Sequence, residues 1–249
     1  MKGIILAAGR GTRLGGLTKE TSKALIEVNG RPLVDYAIAL MHALGITDIV
    51  VVGGRHFQML KDHIDTLDDS ISIIENDKHD SDSLTSLSIA LAKINSSFFK
   101  VDVDFIYTWS IVELIKKYLR GDKILAFGTK AKQVMPDDGV RIQSDKMGRI
   151  NAMAKDLKEY GYWYTGMVYC GSVSLTSFKD VVSKLMAEDK STKESAWSTL
   201  PKIAKATNNV FVADIDEFNS VEVDTEEELA KANEFAKRNH ASISKFFTK

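Results

Sequence analysis

Cysteine and proline are almost absent from this 249-residue chain. The single cysteine, Cys170, excludes an intramolecular disulfide and any cysteine-built zinc cluster within one chain, and it fits a reducing, cytoplasmic setting. The three prolines do not cluster, so no proline-rich linker divides the chain. Excess charge is missing too. Lys and Arg number 33 against 34 Asp and Glu, for a net charge of −1. That balance gives no global reason to expect nucleic acid or an acidic membrane as partner, although local basic clusters could still hold phosphates. No apolar run reaches the roughly 18 residues of a membrane span. The opening MKGIILAAGRGTRL meets glycines and arginines where the hydrophobic region of a signal peptide would continue.

What is present is enough hydrophobic sequence, 44% of the residues, for one sizeable core. Lys2 to Ala8 reads as a buried strand because Ile4, Ile5 and Leu6 are continuous. Ile49 to Val52 and Ile71 to Ile74 read as further strands. Between them, Leu33, Ala37, Leu40 and Leu44 share one helical face after Pro32, and Phe57, Leu60, Ile64 and Leu67 share another. Leu84, Leu87, Leu91 and Ile94 predict a third helix. Val101 and Val103 then alternate with Asp102 and Asp104. This alternation of strand and helix predicts an α/β fold, a mostly parallel sheet with helices on both faces. The second half is less regular, with strands expected at Ile124 to Phe127, Val140 to Ile142, Tyr162 to Tyr169 and Val210 to Val212. Helices are expected over Leu175 to Leu185 and from Thr225 to about Asn239. We read one domain over 1–249, with a regular half over 1–120 and a substrate-facing half with a closing helix over 121–249. The irregular second half could also carry a homodimer contact.

Three features carry chemistry. The first is the loop Gly9-Arg10-Gly11-Thr12-Arg13-Leu14, directly after a strand. Its glycines bare backbone N–H groups to an anion, and Arg10 and Arg13 add cationic donors, with Lys23 ten residues on. Such a set suits a triphosphate, but an ordinary glycine turn with solvated arginines is equally compatible with the spacing. No Gly-Lys-Ser/Thr follows, which excludes a Walker loop. The second feature is Asp102-Val103-Asp104, two carboxylates expected on one face at the end of a strand, able to hold Mg²⁺ or simply to face water. The third is Asp224. Thr225 and Glu228 already fit a capping box for the last helix, leaving Asp224 for other work. Tyr160, Tyr162, Trp163 and Tyr164 form an aromatic group that could bind a cation, stack on a sugar, or pack into a core. Trp109 and Trp197 could join such a pocket. None of the five histidines falls in a metal or triad pattern, and His56, His63 and His79 read as surface residues.

The stretch LAAGRGTRLGGLTKETSKALIEVNGRPLVDY resembles the opening of the sugar-phosphate and phosphocholine nucleotidyltransferases. Their pattern is Ala-Ala-Gly-x-Gly-Ser/Thr-Arg-Leu, then Pro-Lys-Pro/Ala-Leu, then Gly-x-Pro-Leu. The chain is most similar to the phosphocholine cytidylyltransferase-like branch, which shares the alanine after the lysine. The resemblance is strong to about Val52, moderate to about Val112 and thin until about Val221. It implies a Rossmann-like fold of the nucleotide-diphospho-sugar transferase (GT-A-like) type. It further implies transfer of a nucleoside monophosphate, CMP from CTP before others, to a small phosphorylated acceptor with Mg²⁺ as cofactor.

Carried over by position, Leu6, Ala7, Ala8, Gly9, Gly11 and Thr12 would meet the nucleotide. Arg13 and Lys23 would hold phosphates as catalytic groups. Asp104 and Asp224, and less directly Asp102, would hold the metal. Asn76 and Ser83 would face the base, unless the serines of 81–86 serve only to start a helix. Lys155, in a degraded Glu-Lys-Pro position, would meet the substrate phosphate, and the aromatic group noted above offers Tyr162, Trp163 and Tyr164 as acceptor-side residues independently of the resemblance. The proline that the family carries before the lysine is Ser22 here, which is expected to loosen the turn. Two other readings remain: a sugar-1-phosphate nucleotidyltransferase and an inactive nucleotide-binding regulator. A glycosyltransferase using Asp-x-Asp fits less well, since it has no need of Arg13 and Lys23 in this loop.

Overall fold

The computed structural model describes residues 1–68, 70–78, 81–130, 139–188, 194–215 and 220–248. The first half alternates as its periodicity predicts. Strand β1 (Lys2–Ala7) leads into the glycine loop, then 3-10 turns at Thr12–Thr18 and Lys23–Leu25 and the hairpin β2 (Glu27–Val28) and β3 (Arg31–Pro32). Helix α1 (Leu33–Ala43), β4 (Ile49–Gly53), α2 (Phe57–Ile64), β5 (Ile71–Glu75), α3 (Ser83–Leu91) and β6 (Phe98–Asp102) follow. Pro32 closes β3 and stands as the cap residue before α1 rather than inside it. Its ring fixes φ and lacks an N–H, which suits the position just ahead of a helix.

Short β7 (Phe105–Tyr107), α4 (Ser110–Lys116), β8 (Ile124–Thr129), β9 (Arg141–Ser144), β10 (Ile150–Ala154) and β11 (Tyr162–Cys170) come next. The chain ends with α5 (Leu175–Glu188), α6 (Thr199–Thr207), β12 (Val210–Asp214), β13 (Ser220–Glu222), α7 (Glu226–Arg238) and α8 (His240–Ile243). In the main sheet β10, β9, β11, β6, β1, β4 and β5 lie side by side, with β8 joining β11 to β12. The strands β6, β1, β4 and β5 are mutually parallel, and so are β8 and β12. β11 runs antiparallel against β6, β8 and β9.

Alternate residues of β1 explain why both faces need cover. Ile5 and Ala7 enter one core with α1, α2, α4 and α7, whereas Ile4 and Leu6 enter the other with α3, α5 and α6. The largest buried rings, Phe99 and Phe127 in the first core and Phe98 and Phe178 in the second, meet edge to face at 5.6 and 5.3 Å. Among the described residues no helix is long and apolar enough to cross a membrane. His63 is not a free surface residue: it is half-buried, with Nε2 2.6 Å from Asp35 on α1. His56 is likewise half-buried, and His79 lies outside the described residues.

Candidate active site

The carboxyl ends of β1 and β6 open into a cleft of about 670 Å³, a volume suited to a small ligand. The glycine loop forms one wall. Gly11 has φ +62°, and a Cβ there would come within 2.8 Å of the Thr18 methyl and 3.2 Å of Lys23 Cβ. Thr18 donates its hydroxyl to Gly11 O at 2.9 Å, which folds the loop back over Lys23. Ser22 does not loosen this turn. Its φ of −67° is the value a proline would impose, and its hydroxyl accepts from Ala24 N–H to cap the Lys23–Leu25 turn.

Lys23 is 4% exposed and reaches two carboxylates, with Nζ donating to Asp104 Oδ2 at 2.7 Å and to Asp224 Oδ1. Arg13 donates to the other oxygen of Asp224. Burial works against the charge on Lys23, but Asp104 and Asp224 outweigh it and raise its pKa above the ordinary lysine value. Asp104 is not on the strand that carries Asp102. β6 ends at Asp102, and Asp104 sits in the turn before β7, so the regular two-residue alternation stops between them. Both still line the cleft.

A third carboxylate joins them. β7 pairs with β13, aligning Phe105 with Glu222, and this small sheet brings Glu222 beside Asp104 and Asp224. One ligand oxygen from each of the three lies within 4.8 Å of the others. Burial, then Asp104 and Asp224, hold the Glu222 carboxyl well above the usual carboxylate range. Asp104 Oδ1 is buried with no hydrogen-bond partner among the described residues. An orphaned carboxylate oxygen on a residue grouped with two other carboxylates fits a divalent cation with oxygen ligands. The capping box is formed as expected, with Thr225 accepting from Glu228 N–H and Glu228 accepting from the Thr225 and Asp224 N–H groups, so the Asp224 side chain is left for Lys23 and Arg13.

Leu6, Ala8, Gly9, Gly11 and Thr12 line the cleft with Arg10. Ala7 does not, because strand alternation turns its side chain into the core at 1% exposure. Asn76 is also absent from the wall. It is 2% exposed, its amide donates to Ser81 and Ser86 hydroxyls at 3.2 and 3.0 Å, and its oxygen accepts from Lys78 N–H. It braces the segment between β5 and α3 instead of meeting a base. Ser83 does line the cleft, and its hydroxyl also accepts from Ala196 N–H at 2.9 Å.

The aromatic group divides. Tyr164 lines the cleft with Trp197 and the exposed Lys155. Trp163 is 2% exposed and packs against Tyr160, with Arg141 5.0 Å from each ring. Tyr162 sits outside the cleft, its hydroxyl 3.3 Å from Asp214. Trp109 packs on Phe246 near the chain end. Strand β11 thus offers one ring to the cleft, because successive side chains point to opposite faces and Tyr162 lies one strand-repeat too far back.

Two site residues escaped sequence reasoning. Glu222 is part of the same Val-Glu-Val-Asp stretch as Asp224, and the two-residue spacing was the available signal. Lys100 gave none, since one lysine inside Phe98-Phe99-Lys100-Val101 reads as an interruption of a strand. It is 2% exposed, with Nζ 2.7 Å from Asp102 Oδ2. Asp102 therefore faces Lys100 and lies outside the group of three carboxylates.

Known proteins are similar to this chain in sequence and in fold. A choline-phosphate cytidylyltransferase of Streptococcus pneumoniae is 38% identical over 107 residues, which are 42% of this chain and 44% of that protein. A bifunctional IPC transferase and DIPP synthase of Aquifex aeolicus is 26% identical over 237 residues, 93% of this chain and 51% of that protein. The chain thus spans about half the length of these curated relatives. Among solved structures, the inositol-1-phosphate CTP transferase from T. maritima superposes with a TM-score of 0.83 over 98% of this chain and 96% of that one, at 20% identity. This likeness confirms the expected sheet architecture. The sequence profile of one family matches residues 3–159, more than half of the chain, and takes in the glycine loop, Lys23 and Asp104. The chain belongs to the MobA-like NTP transferase domain family.

Proposed function

We propose that the protein is a nucleotidyltransferase that moves CMP from CTP to the phosphate of a small phosphorylated acceptor and releases pyrophosphate. One observation carries this reading: Arg13 and Lys23 converge with Asp104, Glu222 and Asp224 in a single cleft at the carboxyl ends of β1 and β6. Cations for phosphates and carboxylates for a metal are the two things that a reaction between two anions requires.

An oxygen of the acceptor phosphate forms the new bond to the α-phosphorus. The bond from that phosphorus to the β-phosphate oxygen breaks, and its electron pair leaves with pyrophosphate. Arg13 and Lys23 turn from Asp224 and Asp104 toward the phosphates and offset the charge that grows on the leaving group. Gly9 and Gly11 let backbone N–H groups approach the same anion. A Mg²⁺ held by Asp104, Asp224 and Glu222 would polarise the α-phosphate and reduce repulsion between the two reactants. Residues 1–120 supply most of the nucleotide side, and 121–249 supply Lys155, Tyr164 and Trp197 for the acceptor together with the late carboxylates.

CTP is favoured because two cytidylyltransferases are among the relatives, one at 38% over 107 residues and a CTP:phosphoglutamine cytidylyltransferase of Campylobacter jejuni at 41% over 68 residues. The test is pyrophosphate release with Mg²⁺, each of the four common NTPs, and a panel of amino-alcohol, polyol and sugar phosphates. Release with CTP supports the reading. Release only with another NTP and a sugar 1-phosphate assigns the chain to the sugar branch. CTP binding without release on any acceptor, with Lys23→Met binding no worse, contradicts a transferase.

A further inference from the structure

Two stretches of the cleft wall that lie 113 residues apart in sequence are fastened directly to each other. Asp82 and Ser83 open α3 on one side, and Ser195 and Trp197 precede α6 on the other; all four line the cleft. The Ser195 hydroxyl donates to Asp82 Oδ2 at 3.1 Å, and Ala196 N–H donates to the Ser83 hydroxyl at 2.9 Å. Leu84 N–H adds a bond to Glu194 O at 3.1 Å. Behind this clasp Leu84, Leu87, Ala196 and Leu200 share one apolar core, so packing keeps the two segments together without the polar contacts.

Both sides of the clasp are stiff. Asp82 caps α3 by accepting from Ser83 N–H at 2.6 Å, and Asn76 ties Ser81 and Ser86 to the end of β5. Opposite, the Thr199 hydroxyl donates to Ala196 O at 2.7 Å, and Lys202 Nζ lies 2.9 Å from Glu194 Oε1. A shift of Ala196 therefore carries Trp197 with it. The two serines also have hydrogen-bonding capacity left for a ligand. Ser83 accepts from Ala196 and keeps its proton to donate, whereas Ser195 gives its proton to Asp82 and keeps lone pairs to accept. A hydroxyl that donates to a ligand becomes a better acceptor, because chained hydrogen bonds polarise one another. A ligand on Ser83 thus tightens the bond to Ala196 and fixes the turn that holds Trp197.

We propose that Ser83 and Ser195 are positioning residues that couple the two substrates: a nucleotide bound against the start of α3 orders the Trp197 turn for the acceptor. The inference rests on the nucleotidyltransferase reading above, in which Ser83 faces the nucleotide and Trp197 the acceptor. Such coupling is reciprocal, and one hydrogen bond corresponds to about a five-fold gain in the affinity of either ligand when the other is bound.

The test follows amide hydrogen exchange by mass spectrometry on the full chain with Mg²⁺, with and without a saturating non-hydrolysable CTP analogue whose binding is measured by calorimetry. In wild type the analogue is expected to slow exchange about ten-fold both in 81–86 and in 194–198. Ser195→Ala keeps the slowing of 81–86 and cuts that of 194–198 to about three-fold, and the double variant Ser83→Ala with Ser195→Ala removes it. Ser195→Thr keeps a hydroxyl and restores the wild-type response. A merely structural clasp would speed exchange of 194–198 in the variants without analogue and leave the effect of the analogue intact. That result overturns the inference, as does bound analogue whose slowing in wild type stops at 81–86, or a Ser195→Thr variant that behaves as Ser195→Ala. Each of these leaves the transferase reading standing. Absence of analogue binding in wild type removes that reading and the inference together.

Discussion

Lys23 stands where two requirements meet, and replacing it with methionine separates them. Lys23 is 4% exposed and bridges Asp104 and Asp224, whose side chains are each 22% exposed. Removing the ammonium leaves three carboxylates grouped together, with Arg13 still paired to Asp224. Breaking a buried pair by deleting one partner costs about 3–5 kcal/mol, and the partial exposure of the carboxylates points to the lower end. A loss near 3 kcal/mol in a chain of this size corresponds to a fall in Tm of roughly 6–12 °C. The same deletion frees the oxygens that a divalent cation needs. Mn²⁺ alone is therefore expected to bind Lys23→Met more tightly than wild type and to return much of the lost Tm. Saturation at about a hundred times Kd contributes roughly 2.7 kcal/mol. Thermal melts with and without Mn²⁺, and electron paramagnetic resonance of free Mn²⁺, read both effects. A variant as stable as wild type in chelator, or one that binds Mn²⁺ no better, would refute the picture of Lys23 as the stand-in that a metal and a nucleotide must jointly displace.

Gly166→Ala drives a Cβ into the Phe105 ring at φ +74° and is expected to lower stability by about 1–3 kcal/mol, read by urea denaturation, with acceptor affinity falling too. Thr225→Ala removes the side-chain half of the capping box of α7 and should cost about 1 kcal/mol, a few degrees of Tm. Burial pushes the Cys170 thiol up to about 12, against about 8.5 in an unfolded chain. The folded state keeps a proton that the unfolded state releases, so this contribution is intact below pH 8.5 and is lost progressively as pH rises above it. At pH 8 a thiol reagent should leave native Cys170 untouched and label it only on unfolding. Rapid labelling of the native protein would contradict that burial.

The local order of the chain was legible because burial on two faces leaves periodicity behind. The continuous apolar run of β1, the helical spacing of α1 and the Thr-x-x-Glu cap of α7 each state their own structure over a few residues. The glycine loop with Arg13 and Lys23 was readable for the same reason, since close approach to an anion needs bare backbone and nearby cations within one short segment. Long-range pairing has no such local record. That β7 aligns with β13 and carries Glu222 to Asp104 depends on two segments over a hundred residues apart, as does the contact of Lys23 with Asp224. Strand phase had the same limit. The family motif points Ala7 and Asn76 to the cleft and the aromatic run points Trp163 there, yet side-chain alternation and the hydrogen bonds of the β5–α3 segment turn them inward. The sequence by itself determined the α/β class, the phosphate loop and which charged groups were available. The tertiary structure alone decided which of those charges meet, because opposite charges in a partly buried cleft select their partners through distances that only the assembled sheet sets.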